Sequence, residues 1–173
     1  IAGESPLVKD VSARIAGVSP TASPVLIEGE TGSEKDVVAR AIHVGSPREE
    51  MPFVKVTCAA FRGEALEREL FGVMRGAFDG AFSDRAGRFE LAHRGTIFLD
   101  EPTNLLPSAQ ARLLRVLADR EVERVGGTEP IQVDVRVVVA LTPSMADTWG
   151  AEGVLPDLLS RLSVFPIPIA PLR

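Results

Sequence analysis

The sequence has one cysteine, two histidines, no apolar run close to membrane length and no excess of positive charge. Each scarcity closes a class of function. The lone Cys58 excludes an internal disulfide framework and fits a reducing cytoplasm, where the chain is expected to reside. His43 and His93 lack partners at metal-ligand spacing, so a zinc site is not expected. No run approaches the roughly 20 apolar residues of a membrane span, and no secretory leader is visible. A formal net charge of −5 leaves no sequence-wide basic surface for DNA. The chain begins at Ile1 rather than Met and reads as a fragment or a processed product.

What is present suits one α/β domain. The 173 residues, 45% hydrophobic and 25% charged, can bury a sizeable core. Short β-rich runs alternate with helical patterns: VLIEGE (25–30), a helix from Lys35 to His43, FVKVTC (53–58), the helix EALERELFG (64–72), and GTIFLDE (95–101). There follow the amphipathic helix SAQARLLRVLADR (108–120), the strand VRVVVALT (135–142), a short helix LPDLLSRL (155–162) and a proline-interrupted strand VFPIPI (164–169). Such alternation predicts a mostly parallel sheet with right-handed crossovers. EVERVGGTEPIQV (121–133) predicts a hairpin turning at Gly126 and Gly127. The glycine-rich stretch 72–87 is long enough to suggest a functional insertion.

Two stretches could carry phosphate chemistry. GETGSEKD (29–36) follows a strand and opens a helix, the context of a P-loop. Gly29 and Lys35 stand where that motif wants them, but Glu34 replaces its second glycine. The alternative is a plain strand–helix turn with an incidental lysine. In GTIFLDE an uncharged run leads into Asp100 and Glu101, able to hold Mg²⁺ and to orient a water. The alternative is a polar strand end capping the next turn. The two stretches together, in this order, are more specific than either alone.

Across nearly its whole length the chain resembles the central AAA+ domain of bacterial enhancer-binding proteins, the activators that work with sigma-54. The family's GESGTGKE corresponds to GETGSEKD here, and its GAFTGA to GAFDGA (76–81). ELFG (69–72), AGRFELA (86–92), GTIFLDE, QARLLRVL (110–117), ERVGG (123–127), VDVRV (133–137) and VFPIPIAPLR (164–173) continue the match. The resemblance implies an AAA+ P-loop NTPase core over residues 1–173, a five-stranded parallel sheet with helices on both faces. It also implies an insertion at about 72–87 and a helical lid that would follow this chain. It implies a ring, usually a hexamer, in which ATP with Mg²⁺ drives the GAFTGA loops against sigma-54 RNA polymerase holoenzyme. DNA would be met only through a domain outside this chain.

Carried over position by position, the resemblance places Gly29, Glu30, Thr31, Gly32, Ser33, Glu34, Lys35 and Asp36 around ATP or ADP, with Lys35 on the β/γ-phosphates. Ile1, Ala2 and Gly3 match the stretch lying along the adenine, and Asp100 would organise Mg²⁺ while Glu101 polarises water. Arg161 matches an arginine that reaches a neighbour's γ-phosphate. Gly76, Ala77, Phe78, Asp79, Gly80 and Ala81 would meet the sigma factor, with Phe78 exposed at the loop tip.

The departures follow one mechanism. Besides Glu34, Thr57 replaces the asparagine that restrains the catalytic glutamate, and Asp79 replaces the threonine of GAFTGA. Pro143 replaces the asparagine of the sensor strand, and Leu155 a second finger arginine. Proline has neither side-chain amide nor backbone donor, and leucine lacks the guanidinium fork. Glu34 held about 4 Å from a phosphate charge would cost up to roughly 4 kcal/mol at an effective dielectric near 20, unless it swings outward. A positive φ at that position would add about 1–2 kcal/mol. Three functions are thus open: a regulatory domain with impaired or lost ATP binding and hydrolysis, a working ATPase that remodels sigma-54 polymerase, and a nucleotide-independent interaction module. Arg112, Arg115, Arg120 and Arg124 are expected to form a solvated face rather than a DNA patch, and Cys58 a small buried hydrophobe.

Overall fold

The computed structural model describes residues 6–30, 34–144 and 156–169. In chain order the elements are α1 (Pro6–Val18), β1 (Val25–Glu28), α2 (Lys35–Val44), β2 (Phe53–Thr57), α3 (Glu64–Phe71), β3 (Gly72–Val73), β4 (Arg85–Ala86), α4 (Arg88–Leu91) and β5 (Thr96–Asp100). They continue with α5 (Pro107–Asp119), β6 (Glu121–Val122), β7 (Ile131–Gln132), β8 (Arg136–Leu141), α6 (Pro156–Leu162) and β9 (Pro166–Pro168). One-turn 3₁₀ segments follow β2 and β5.

The expected five-stranded parallel sheet is present, in the order β2-β5-β8-β1-β9. Its side chains alternate between two cores. Val56, Ile97, Leu99, Val137, Val139 and Leu141 face Leu66, Leu70, Leu113, Val116, Leu158 and Leu162 of α3, α5 and α6. Val25, Ile27, Phe98, Val138 and Ala140 face Val11, Val18, Val38, Ala39 and Ile42 of α1 and α2. Both faces of the central strands are therefore apolar, which is why VVVAL and TIFL read as uninterrupted runs.

β9 tolerates its prolines because it is an edge strand. Phe165 O accepts from Leu26 N–H and Ile169 N–H donates to Glu28 O, so residues of that parity face β1. Pro166 and Pro168, without N–H groups, fall on the other parity and leave no ladder bond unmade.

Among the described residues, α1, the short α4 and the paired two-residue strands β3 and β4 were not anticipated. In α1 the signal was the spacing of Val11, Ile15 and Val18, two of them buried and Ile15 packed against them. The end of α1 is held by Arg136, which opens β8 and is 1% exposed. Its guanidinium donates to Val18 O at 2.7 Å, Ser19 O at 2.9 Å and Ser23 O at 3.2 Å. Burial, helped by the nearby Arg48, pushes its pKa down to about 10, so it keeps its charge at neutral pH. Carbonyls at a helix C-terminus carry partial negative charge and stand in for a counter-ion.

His43, buried near the end of α2, ties that helix to the sheet. Nε2–H donates to Met51 O at 3.0 Å, which leaves Nδ1 to accept from Thr96 Oγ1 at 2.8 Å. Burial lowers its pKa; the Met51 carbonyl opposes this, and Arg136 and Arg48 add to the lowering. The unfolded chain therefore takes up a proton at a higher pH, near 6.5, than the folded chain does. Stability contributed by neutral His43 is complete above pH 6.5 and is lost as pH falls through the folded-state value. Urea midpoints measured from pH 7 to 5 should fall, and His43→Gln should flatten that fall.

Candidate functional site

The carboxyl ends of β1, β5 and β8 lie side by side, and Gly29, Lys35 and Glu101 come together there. Gly29 follows β1, its N–H donating to Leu141 O at 3.0 Å. Glu34 precedes α2, and its carbonyl receives Val38 N–H at 3.0 Å. Its backbone lies at φ −85, ψ 39. The conditional cost for a positive φ is thus not incurred: a side chain fits this backbone without left-handed strain, and a carboxylate at a helix N-terminus favours the helix dipole.

Lys35 begins α2 and is 8% exposed. Its Nζ donates to Gly29 O at 3.0 Å and to Glu101 Oε1 at 3.0 Å. P-loop lysine and strand-end glutamate, 66 residues apart, thus form one ion pair. Glu101 adopts φ 53, ψ 64, a left-handed backbone that costs a non-glycine residue about 1–2 kcal/mol. Its N–H is held by Ala140 O at 2.8 Å, and its Oε2 is buried without a hydrogen-bond partner among the described residues. Strain together with an unmatched buried oxygen is a pattern found at functional positions.

Asp100, the last residue of β5, pairs in register with Thr57 and Ala140. Among the described residues its half-buried carboxylate has no hydrogen-bond or ion-pair partner. The residues present fit a magnesium nucleotide in part: a free carboxylate for a hard cation, an amine beside it for phosphate, and an unmatched acceptor on Glu101. Mg²⁺ is commonly held by one or two carboxylates with phosphates and water. Glu34 fits less well, adding negative charge to the same end of the sheet. Among the described residues no group of three or more His, Cys, Asp or Glu could hold a metal unaided.

Thr57 is exposed at the end of β2, and Glu101 meets Lys35 rather than residue 57. Pro143 is exposed two residues beyond β8. Arg161 is exposed on α6, whose Leu158 and Leu162 are buried, so the helix turns the arginine outward. Ala2, Gly3, Thr31, Gly32, Ser33 and Leu155 lie outside the described residues. Cys58, buried just past β2, has its thiol pushed up to about 12, by burial first and then by the charges of Asp100 and Glu101. It is a packed hydrophobe, as expected, not a nucleophile.

GAFDGA lies on a separate part of the molecule. β3 and β4 pair antiparallel as the base of the insertion. β6 and β7 form the second hairpin, and the two are joined where Met74 N–H donates to Val125 O and Val125 N–H to Gly72 O, both at 2.9 Å. Gly126 packs so closely on Ala77 that a Cβ there would lie 2.6 Å from the Ala77 Cβ. Gly76 and Gly80 have φ of 83 and 99, which favour glycine. Asp79 is exposed. Phe78 is not: it is half-buried, with the Arg68 guanidinium 3.7 Å from its ring centre. The aromatic in the open is Phe82, 85% exposed. Nothing in the local sequence flagged Arg68, because contact across a loop leaves no periodic trace.

The arginines after residue 110 are engaged with acids. Arg112 reaches Glu67 and Glu123, Arg115 reaches Glu121 and Glu123, and Arg124 reaches Glu90. Arg120 is exposed in a left-handed conformation ending α5.

The Lys35–Glu101 pair can be weighed by a double-substitution cycle. Lys35→Met strands a largely buried carboxylate and should destabilise the chain by about 1–3 kcal/mol in urea unfolding, discounted for the partial exposure of Glu101. Lys35→Met with Glu101→Gln should cost less than the two single changes added together.

Comparison with known proteins agrees with this architecture. The family model described as the sigma-54 interaction domain matches residues 1–168. The chain is 48% identical over 173 residues to the Nif-specific regulatory protein of Herbaspirillum seropedicae, covering 100% of this chain and 32% of that protein. NtrX from Brucella abortus in complex with ADP superposes with a TM-score of 0.89 at 36% identity, over 98% of this chain and 37% of that one. Its complex with ATP gives 0.88 at 36%, over 98% and 36%. The P-loop NTPase domain of a sigma-54 transport activator from E. coli shares the fold, with a TM-score of 0.65 at 18% identity over 99% of this chain and 100% of that one. The chain thus spans about a third of the length of the Nif-specific regulator and of NtrX. With its family model matched over 168 of 173 residues and its parallel α/β sheet in place, the chain belongs to the sigma-54 interaction domain family of transcriptional activators.

Proposed function

We propose that this chain is the AAA+ α/β subdomain of a sigma-54-dependent transcriptional activator whose ATP binding and hydrolysis are impaired. The observation that carries the first half is GAFDGA on its own paired hairpin, hinged by two glycines and set on a P-loop sheet. In this reading residues 76–81 meet sigma-54 RNA polymerase, and the protein self-associates into a ring in which Arg161, turned outward, reaches a neighbour's nucleotide. DNA is met by a domain other than this one.

The impairment rests on Glu34, Thr57, Pro143 and Leu155. NtrX holds ADP and ATP in structures of this fold. If this chain does the same, Lys35 takes the phosphates, Asp100 the Mg²⁺, and Glu101 orients a water. The nucleotide supplies the phosphoanhydride bond whose hydrolysis would drive remodelling. Lys35 must first leave Glu101, and Glu34 must turn its carboxylate away. Pro143 and Leu155 offer no donors for charge developing at the γ-phosphate. Loss of one preorganised donor typically costs about 10²–10³ in rate, and losses within one site need not add.

A second reading, a working ATPase, is favoured by two observations: the unstrained backbone of Glu34 and the buried Lys35–Glu101 pair. Calorimetry with Mg-ATP and a steady-state hydrolysis assay separate the two. The impaired reading expects weak binding, turnover near background, and a gain in affinity on Glu34→Gly larger than for any other single change in the loop. Tight binding together with turnover well above background establishes the second reading instead.

A further inference from the structure

We propose that Arg68 is a positioning residue for the GAFDGA loop: it parks the Phe78 ring against α3 and so withholds that ring from sigma-54. The proposal rests on the reading that residues 76–81 meet sigma-54. Phe78 would otherwise be the natural contact, as the one large apolar side chain of the six. Yet it is half-buried and forms one wall of an open groove, together with Glu64, Glu67, Leu106, Arg112 and Val125.

Over this ring stands Arg68, with Cζ 3.7 Å from the centroid, well inside the roughly 6 Å reach of a cation–π contact. Arg68 is aimed by its place on α3 and by Glu64 one turn earlier, whose Oε2 accepts from Nη2 at 3.0 Å. The groove itself is rigid. Buried Glu67 receives Ser108 Oγ at 2.7 Å and Arg112 Nε at 2.8 Å, which lock α3 to α5. The base of the insertion is likewise held by the Met74–Val125 bonds. Between rigid groove and rigid base, Gly76 and Gly80 supply the backbone freedom for the ring to leave without disturbing either. With Phe78 parked, the loop presents Asp79 and, just beyond it, Phe82. A contact of this kind shifts a two-state equilibrium about 2- to 30-fold, enough to bias presentation without preventing it.

The test places 4-fluorophenylalanine at position 78 alone in the full chain and reads its fluorine resonance and the amount of purified sigma-54 captured. Arg68→Gln keeps length but removes the cation; Arg68→Lys keeps a cation; Glu64→Gln removes the charge but keeps an acceptor for Nη2, so Arg68 stays aimed over the ring. Arg68→Gln should move the resonance toward that of the solvent-exposed amino acid and raise capture about 2- to 30-fold. Arg68→Lys and Glu64→Gln should stay near the parent in both readouts. An unmoved resonance in Arg68→Gln overturns the parking, and so does a drop in capture. If the resonance moves as expected but neither parent nor variant captures sigma-54, parking stands and the sigma-54 reading of the loop fails.

Discussion

The molecule is organised by the double-sided burial of its central strands. β5, β8 and β1 run through two apolar cores and have no solvent face on which a polar side chain could be carried. Polar chemistry is therefore displaced to the points where strands stop. All five strands run parallel, so those points lie along one edge and the helix that follows β1 starts there. Gly29, Asp100 and Glu101 meet because their strands end together, and Lys35 joins them from the start of α2 through its bonds to Gly29 O and Glu101.

At that edge the Lys35–Glu101 pair sets the local logic. Thr57, at the end of β2, is exposed, and it is the lysine that takes the Glu101 carboxylate. The left-handed backbone of Glu101 and its unmatched buried oxygen mark a position held against local preference by its surroundings. Glu34 differs: its backbone at φ −85 is ordinary and carries no left-handed strain.

The other end of the functional surface depends on paired charge. Arg112, Arg115 and Arg124 each spend their donors on Glu67, Glu121, Glu123 or Glu90, bracing the 121–133 hairpin against α3, α4 and α5. That hairpin in turn backs the insertion through Val125 and Gly126. Individual surface pairs contribute little, but a network converging on half-buried arginines fixes geometry. What reads along the chain as a basic helix becomes, in three dimensions, the rigid mount of a loop.

Period and punctuation in the sequence determined most of the fold: the uninterrupted apolar runs of β5 and β8, the amphipathic α5, the hairpin turning at Gly126 and Gly127, and the spacing that sets Lys35 after Gly29. These are local properties, expressed within a few residues, and so legible along the chain. The motifs also placed Asp100 and Glu101 at a strand end. Tertiary structure alone decided the rest, because each remaining feature joins distant residues. It paired Lys35 with Glu101 across 66 positions, decided that the φ of Glu34 is negative, and set Arg136 on the carbonyls ending α1. It also turned Phe78 under Arg68 and left Phe82 outside. A hydrophobic pattern states which side chains must leave water; only the packed chain determines which neighbours they find.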